Sequence, residues 1–393
     1  MNQQLGVVLG ASSRWRPLRW IALISAILVA TLVGGEALRH AEAAALLARV
    51  ERGGEGEGLA GFRAWEIDES LGELRTAEKV VPTRTYRPRG RTQPPGVVLL
   101  HGIHRLGIDE PRLVNFARAL AASGLVVMTP QLEELASYRV ESKSIATIGE
   151  AAKHLARSPE LKEGGVTVMG FSFAGGLALL AAAEPSYAAS MKAVLAVGAH
   201  ADMTRVAEFF ATNRSVSPEG DVHELRAHDY GALVLVHGHA ADFFAEQDAA
   251  VAEEALRLWL WQDWDAARAR AASLSPEGKA RIDALFEGRL DPVAEDLVAW
   301  SRKHGAALEA VSPARRLGSL AAKAFVLHGA GDDVVPATEA AWLAREIPEK
   351  ARGALLVSPA VKHVEPGKEA SLFEQLRLVH FVKELLDAVE ASP

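Results

Sequence analysis

Residues 169–176 read MGFSFAGG. An apolar run ends at Gly170, Ser172 follows two residues later, and a helix-forming stretch of small residues begins at once. A serine in such a strand–turn–helix is held in a strained turn, so its neighbours on both sides must be small. Gly170 and Ala174 meet that need, with Gly175 and Gly176 behind them. The turn lifts the hydroxyl above the strand ends and points the next backbone N–H into the same space, an arrangement suited to nucleophilic attack on a carbonyl carbon. Three apolar runs also end in His-Gly: VVLLHGIH at 97–104, LVLVHGHAADFF at 233–244 and AFVLHGAGDD at 324–333. The question they raise is whether all three are strands feeding one site.

The elements that must position these residues alternate. Extended structure is predicted around 79–88, followed by turn chemistry in RGRTQPPG at 89–96. Strands are predicted at 97–101, 125–130, 165–170 and 192–198, with helices around 111–124, 144–158 and directly after Ser172. Short apolar, β-branched runs between longer Ala/Leu-rich helices indicate a parallel sheet covered on both faces. The alternation stops over 200–318, a stretch rich in Ala, Glu, Arg and Trp that reads as helices. It resumes with a strand at 323–329, a helix around TEAAWLAREIP, a strand at 353–359 and a terminal helix. The long helical block therefore reads as an insertion over the strand ends.

With these motifs the chain resembles the α/β-hydrolase superfamily over roughly residues 79–390, in the manner of esterases and dienelactone hydrolases with a helical cap. The family's turn is usually G-x-S-x-G, whereas this one is G-x-S-x-A, a departure that the steric requirement tolerates. The resemblance implies a Ser, acid, His order along the chain. HGAGDDVVP at 328–336 matches the family's acid loop, with Asp332 at the matching position and Asp333 as the adjacent alternative. The base is expected after the last strand, where LLVSPAVKHVEP offers His363; His380 is the competitor, expected half-buried in the terminal helix. Histidine suits the role because its unperturbed pKa, about 6.5, lets it take and return a proton near neutrality. The loop after the first His-Gly implies an oxyanion hole built from the backbone N–H groups of Ile103 and Phe173. His101 and His104 read as structural or pocket-lining.

LVLVHGH has no acid or base following it in the family order. AHDYG before it starts a helix with Asp229 as cap, and the pattern after it stays helical, so it is expected to be a helix of the insertion. On a strand His237 and His239 would share a face and, with Asp242, could make part of a metal site; on the expected helix they point about 200° apart and do not converge. Trp259, Trp261, Trp264 and Trp300, with Phe209, Phe210, Phe243, Phe244 and Phe286, either wall an apolar substrate pocket or form the cap's own core.

Composition narrows the class. A chain of 393 residues with 49% hydrophobic and 24% charged residues has material for a sizeable core. A net charge of −7 gives no electrostatic reason to expect nucleic acid. Without cysteine there is neither a disulfide nor a thiolate metal site. Arg14, Arg16 and Arg19 precede an uncharged run from Trp20 to Gly35. Sixteen helical residues span about 24 Å, somewhat less than a hydrocarbon core of about 30 Å, and Arg19 can snorkel. The basic flank predicts an N-terminus inside and the rest outside, as an uncleaved anchor. A signal peptide processed at Ala41-x-Ala43 is the alternative, facing an approach that carries Glu36, Arg39, His40 and Glu42.

The expectation is thus an α/β-hydrolase fold with a mostly parallel sheet, helices on both faces, a helical cap and an N-terminal transmembrane helix. Its divisions are a basic N-terminus (1–19), an anchor or signal (20–38), a helix and Gly/Glu linker (39–61), core (62–199), cap (200–318) and core (319–393). The activity expected is serine hydrolysis of an ester or related acyl bond in an apolar small molecule, through Ser172, His363 and Asp332, with no cofactor and no metal. A peptidase or amidase on the same triad, and a catalytically silent ligand- or partner-binding protein, remain alternatives. The sequence is silent on oligomeric state and on the identity of the substrate.

Overall fold

In the computed structural model the backbone is described for residues 16–52, 57–362, 365–366 and 371–391, and side chains for 34–52, 57–361 and 371–391. The strands are β1 (Ile67–Arg75), β2 (Val80–Pro88), β3 (Gly96–Leu100), β4 (Val126–Pro130), β5 (Val166–Phe171), β6 (Met191–Val197), β7 (Arg214–Val216), β8 (Val222–Glu224), β9 (Lys323–Gly329) and β10 (Arg352–Ser358). Eight of them form one sheet in the order β1-β2-β4-β3-β5-β6-β9-β10, and β7 and β8 make a separate hairpin. Only β2 runs against its neighbours; every pairing from β4 to β10 is parallel. The register sets Leu99 beside Met169, and Met169 beside Leu195.

The central strands are apolar throughout because both of their faces are covered. Along β3, Val97 and Leu99 enter one apolar cluster while Val98 and Leu100 enter the other, the two-residue alternation of a strand. The edge strand β1 was not expected. Its sequence IDESLGELR has one buried residue, Leu74, so no apolar face marks it as a strand.

The helices are α1 (Arg16–Glu51), α2 (Pro111–Ala122), α3 (Glu133–Ala136), α4 (Lys143–Ala156), α5 (Phe173–Ala183) and α6 (Pro185–Ala188). The block between β6 and β9 contains α7 (Met203–Thr212), α8 (Asp229–Gly238), α9 (Ala240–Phe243), α10 (Glu246–Leu260), α11 (Trp264–Ala271), α12 (Pro276–Phe286), α13 (Asp291–Lys303) and α14 (Gly305–Ala310). Then come α15 (Thr338–Glu346) and α16 (Leu372–Glu390). Residues of α4, α5 and the inserted helices cover one face of the sheet, and residues of α1, α2 and α16 cover the other.

Helix α1 is continuous through the expected boundary between anchor and linker. Its Ala43 and Leu46 are buried in one cluster with Leu120, Val382 and Leu386. Arg49 is buried too, donating to the carbonyls of Ala60 (2.7 Å) and Phe62 and to Ser123 Oγ (2.7 Å). The chain from Ala60 to Phe62 is thus held to the core by one guanidinium. Most of the run from Trp20 to Gly35 lies outside the described side chains. Among the described residues no helix is long and apolar enough to cross a membrane.

Candidate active site

Ser172 is the single residue between β5 and α5, with φ 54° and ψ −132°. A non-glycine residue rarely adopts that backbone, and it persists only when its surroundings impose it. Here Ser172 N–H donates to the Val197 carbonyl (2.7 Å), and the Ser172 carbonyl accepts from Gly175 N–H (2.9 Å). The turn is so tight that a Cβ on Gly170 would stand 2.6 Å from the Ala174 carbonyl oxygen. One on Gly175 would come within 2.8 Å of Ala199 Cβ, and one on Gly176 within 2.4 Å of the His200 ring. The positions that need glycine are thus 170, 175 and 176, while 174 accommodates its alanine. A strained serine after β5, in a sheet of this order with only β2 reversed, decides the architecture.

The chain has the α/β-hydrolase fold.

Both expected oxyanion donors lie at one end of that fold's sheet. Phe173 N–H is the first of α5, so it has no carbonyl partner within the helix and stands at the positive end of its dipole. The Ile103 N–H belongs to the Gly102–Ile103 peptide, whose carbonyl is fixed by His101. His101 Nδ1 is 2.7 Å from Gly102 O, and its Nε2 accepts the Leu132 N–H at 2.9 Å. An accepting Nε2 assigns the proton to Nδ1, and burial, lowering the His101 pKa to about 4, keeps the ring neutral. Because a trans peptide points its C=O and N–H in opposite directions, holding the Gly102 oxygen aims the Ile103 N–H.

The following peptide is held from the cap. Tyr230 of α8 donates its hydroxyl to the Ile103 carbonyl at 2.8 Å. Arg105 further along this loop lies over the ring of Trp261, 5.7 Å from its centroid. Sequence reading missed Tyr230: no local pattern connects two residues 127 positions apart. His104 accepts the Leu106 N–H at 3.3 Å, a contact internal to the turn.

The acid loop follows β9. Asp332 is fully buried, and its Oδ1 accepts the N–H groups of Val334 (3.0 Å) and Val335 (2.9 Å). Its Oδ2 is 3.4 Å from His328 Nε2, which also lies 2.8 Å from the Val335 carbonyl. Asp333 is only half-buried, and its carbonyl accepts the His228 N–H of the cap at 2.7 Å. Strand register brings Ser172 and this loop to the same, C-terminal end of the parallel strands, since Phe171 pairs with Val197 and Val197 with Leu327. Two inter-strand spacings separate them, about 10 Å. The third expected position, His363, lies outside the described residues, between the paired segments Val361–Lys362 and Glu365–Pro366. His380 is exposed on α16, not half-buried as expected, and it stacks on His40 with ring centroids 5.6 Å apart.

LVLVHGH is in α8, as its helical context predicts. The cap is His228, whose Nδ1 accepts the Tyr230 N–H; Asp229, expected in that role, is the first helical residue. His237 is buried against the Tyr138 ring, and neither of its nitrogens has a partner among the described residues. Of the cap aromatics, Phe209, Phe210, Phe243, Phe244 and Trp300 are buried, and Trp259 stacks on Phe286 at 4.1 Å. Trp264 is 53% exposed. Most of this set builds the cap's own core.

No family model and no curated protein matches the chain. Among solved structures it is similar to 2,6-dihydroxy-pseudo-oxynicotine hydrolase, with 15% identity over 82% of this chain and 68% of that one and a TM-score of 0.46. It is also similar to puromycin hydrolase, with 12% identity over 84% of this chain and 41% of that one and a TM-score of 0.49. Est1E from Butyrivibrio proteoclasticus is 11% identical over 82% of this chain and 99% of that one, with a TM-score of 0.44.

Proposed function

We propose that this chain is a membrane-anchored serine hydrolase that cleaves an ester or related acyl bond. The observation that carries the reading is Ser172 itself, held at positive φ between β5 and α5 with the Phe173 N–H beside it. In this reading Ser172 Oγ attacks the acyl carbon and passes its proton to His363. Asp332 orients the imidazole and balances the charge it gains. The carbonyl oxygen, now negative, is met by the N–H groups of Ile103 and Phe173, each typically worth about 3 kcal/mol in the transition state. Collapse of the tetrahedral intermediate breaks the bond to the leaving group, which takes the proton from His363. Water, deprotonated by the same histidine, then releases the acyl group.

A fluorophosphonate probe should label the wild-type chain at Ser172 and leave Ser172→Ala unlabelled; equal labelling of the two sinks the assignment. A series of acyl esters set against aminoacyl amides separates an esterase from a peptidase.

The anchor rests on the basic flank and apolar run at the N-terminus, with the hydrolase domain outside. Contacts of the residues just after that run support an uncleaved chain. Lys383 pairs with Glu36 at 3.0 Å, Arg63 with Glu42 at 2.7 Å, and Ala43 is buried in the core. Cleavage after Ala43 would discard all three. Membrane-extracted protein should therefore keep its N-terminus, and a mature chain starting near Ala44 would refute the anchor.

A further inference from the structure

We infer that the cap carries a binding site for a divalent transition-metal ion, formed by His239, Asp242 and His304. One ring nitrogen from each histidine and one carboxylate oxygen all lie within 4.8 Å of one another. His239 stands at the junction of α8 and α9, Asp242 is in α9, and His304 joins α13 to α14. Sequence spacing alone relates the first two, three residues apart; the fold adds the third from a distant helix.

The three side chains are oriented before any ion arrives. His304 Nε2 is 2.9 Å from Asp242 Oδ2. The His239 ring lies 4.8 Å from the Trp300 centroid and 5.2 Å from that of His304, and Trp300 is 5.3 Å from His304. Trp300 is buried, so it forms a rigid apolar wall that limits how both imidazoles can turn. The backbone is fixed as well: Asp242 N–H donates to the His239 carbonyl (2.8 Å) and His304 N–H to that of Trp300 (2.9 Å).

Two imidazoles and one carboxylate form an N₂O set with one negative charge. That set suits Zn²⁺ or Co²⁺, with water completing the coordination, better than Ca²⁺ or Mg²⁺, which prefer oxygen alone. Around zinc, with metal–ligand bonds of about 2.0–2.2 Å, tetrahedral donors stand roughly 3.4 Å apart. The donors here must therefore close in slightly, a movement that side-chain rotation supplies. Lys303 is the competitor: its ammonium pairs with Asp242 Oδ1, and its side chain is 66% exposed. An ion entering the site takes over the charge that Lys303 now neutralises, and the lysine swings into solvent.

The test uses the full chain, stripped with chelator and desalted, titrated calorimetrically with ZnCl₂ and spectroscopically with CoCl₂. One equivalent of Zn²⁺ should bind, and Co²⁺ should develop the visible bands of a four- or five-coordinate site. His239→Ala and His304→Ala should each weaken Zn²⁺ binding by about tenfold or more, in line with losses measured when metal-site residues are altered. Lys303→Met should tighten it, a change that a purely structural ion pair would not produce, and this variant leaves all three ligands in place. Absence of saturable Zn²⁺ binding, undiminished binding by the histidine variants, or indifference to Lys303→Met overturns the site. None of these readouts depends on hydrolytic activity.

Discussion

At the ends of β3 and β9 a histidine stands before a glycine, and the same pair occurs inside α8. The two strand-end histidines reach backbone partners. His101 is engaged through both nitrogens, and His328 through Nε2 to the Val335 carbonyl, beside Asp332, while its Nδ1 has no partner among the described residues. His237 is as deeply buried and has neither nitrogen satisfied among the described residues. The reason is the backbone around each one. Where a parallel strand ends, the chain turns through a loop whose N–H and C=O groups still need partners, so a polar side chain finds them. A helix pairs its own amide groups along its axis and turns the side chain toward whatever packs on it, here the Tyr138 ring. In the core, then, a buried histidine orients a loop, whereas in the cap it is an unpaid polar group that burial keeps neutral.

That contrast can be broken or sharpened by experiment. The largest effect is expected in the acid loop, where two neighbouring aspartates differ as the histidines do. Asp332→Asn should lower kcat for ester hydrolysis by about 10⁴-fold, the loss typical of a triad acid converted to its amide. Asp333→Asn should stay within about tenfold of wild type, and a reversal of the two would transfer the role to Asp333. Next come the two residues that hold the peptides on either side of Ile103, the proposed oxyanion donor. His101→Ala should reduce kcat by up to about 10²-fold, approaching the loss of one oxyanion donor. Tyr230→Phe, which removes a bond to the adjacent peptide, should cost roughly tenfold, one hydrogen bond of positioning. A larger loss from Tyr230→Phe would make the cap, not the core, the principal support of this loop.

Two smaller effects concern stability. Burial lowers the pKa values of His101 and His237 from 6.5 to about 4. As pH falls below about 6.5 the unfolded chain takes up these protons first, so folded-state stability declines between about 6.5 and 4. Urea midpoints measured across that range should fall, and a flat profile would deny that the two rings are buried neutral. His237→Leu should lessen the decline and, by removing unsatisfied nitrogens, add about 1 kcal/mol at pH 7. A loss of stability in that variant would mean that His237 has a partner after all.

Much of this architecture could be read from local pattern. Apolar strands and amphipathic helices follow from residue periodicity, and the Gly170–Ser172 turn follows from steric need, because both are properties of a few consecutive residues. The same holds for the helical identity of LVLVHGH, read from what flanks it. Strand β1 escaped because its residues are polar on both faces, and the docking of α1 escaped because it depends on one arginine, Arg49, reaching Ala60 and Phe62. The cap aromatics were legible as a set but not as a core.

By itself, then, the sequence determined the order of the parallel strands and of the main helices between them, the strained serine and the pair of aspartates that follow β9. Only the tertiary structure decided which aspartate is buried and bonded, that Tyr230 holds the loop of Ile103, and that His304 joins His239 and Asp242. Each of those outcomes is a contact between distant segments, set by how helices lie on the sheet and on one another. Side-chain chemistry can be read along a chain, but proximity of this kind arises only when the chain is packed.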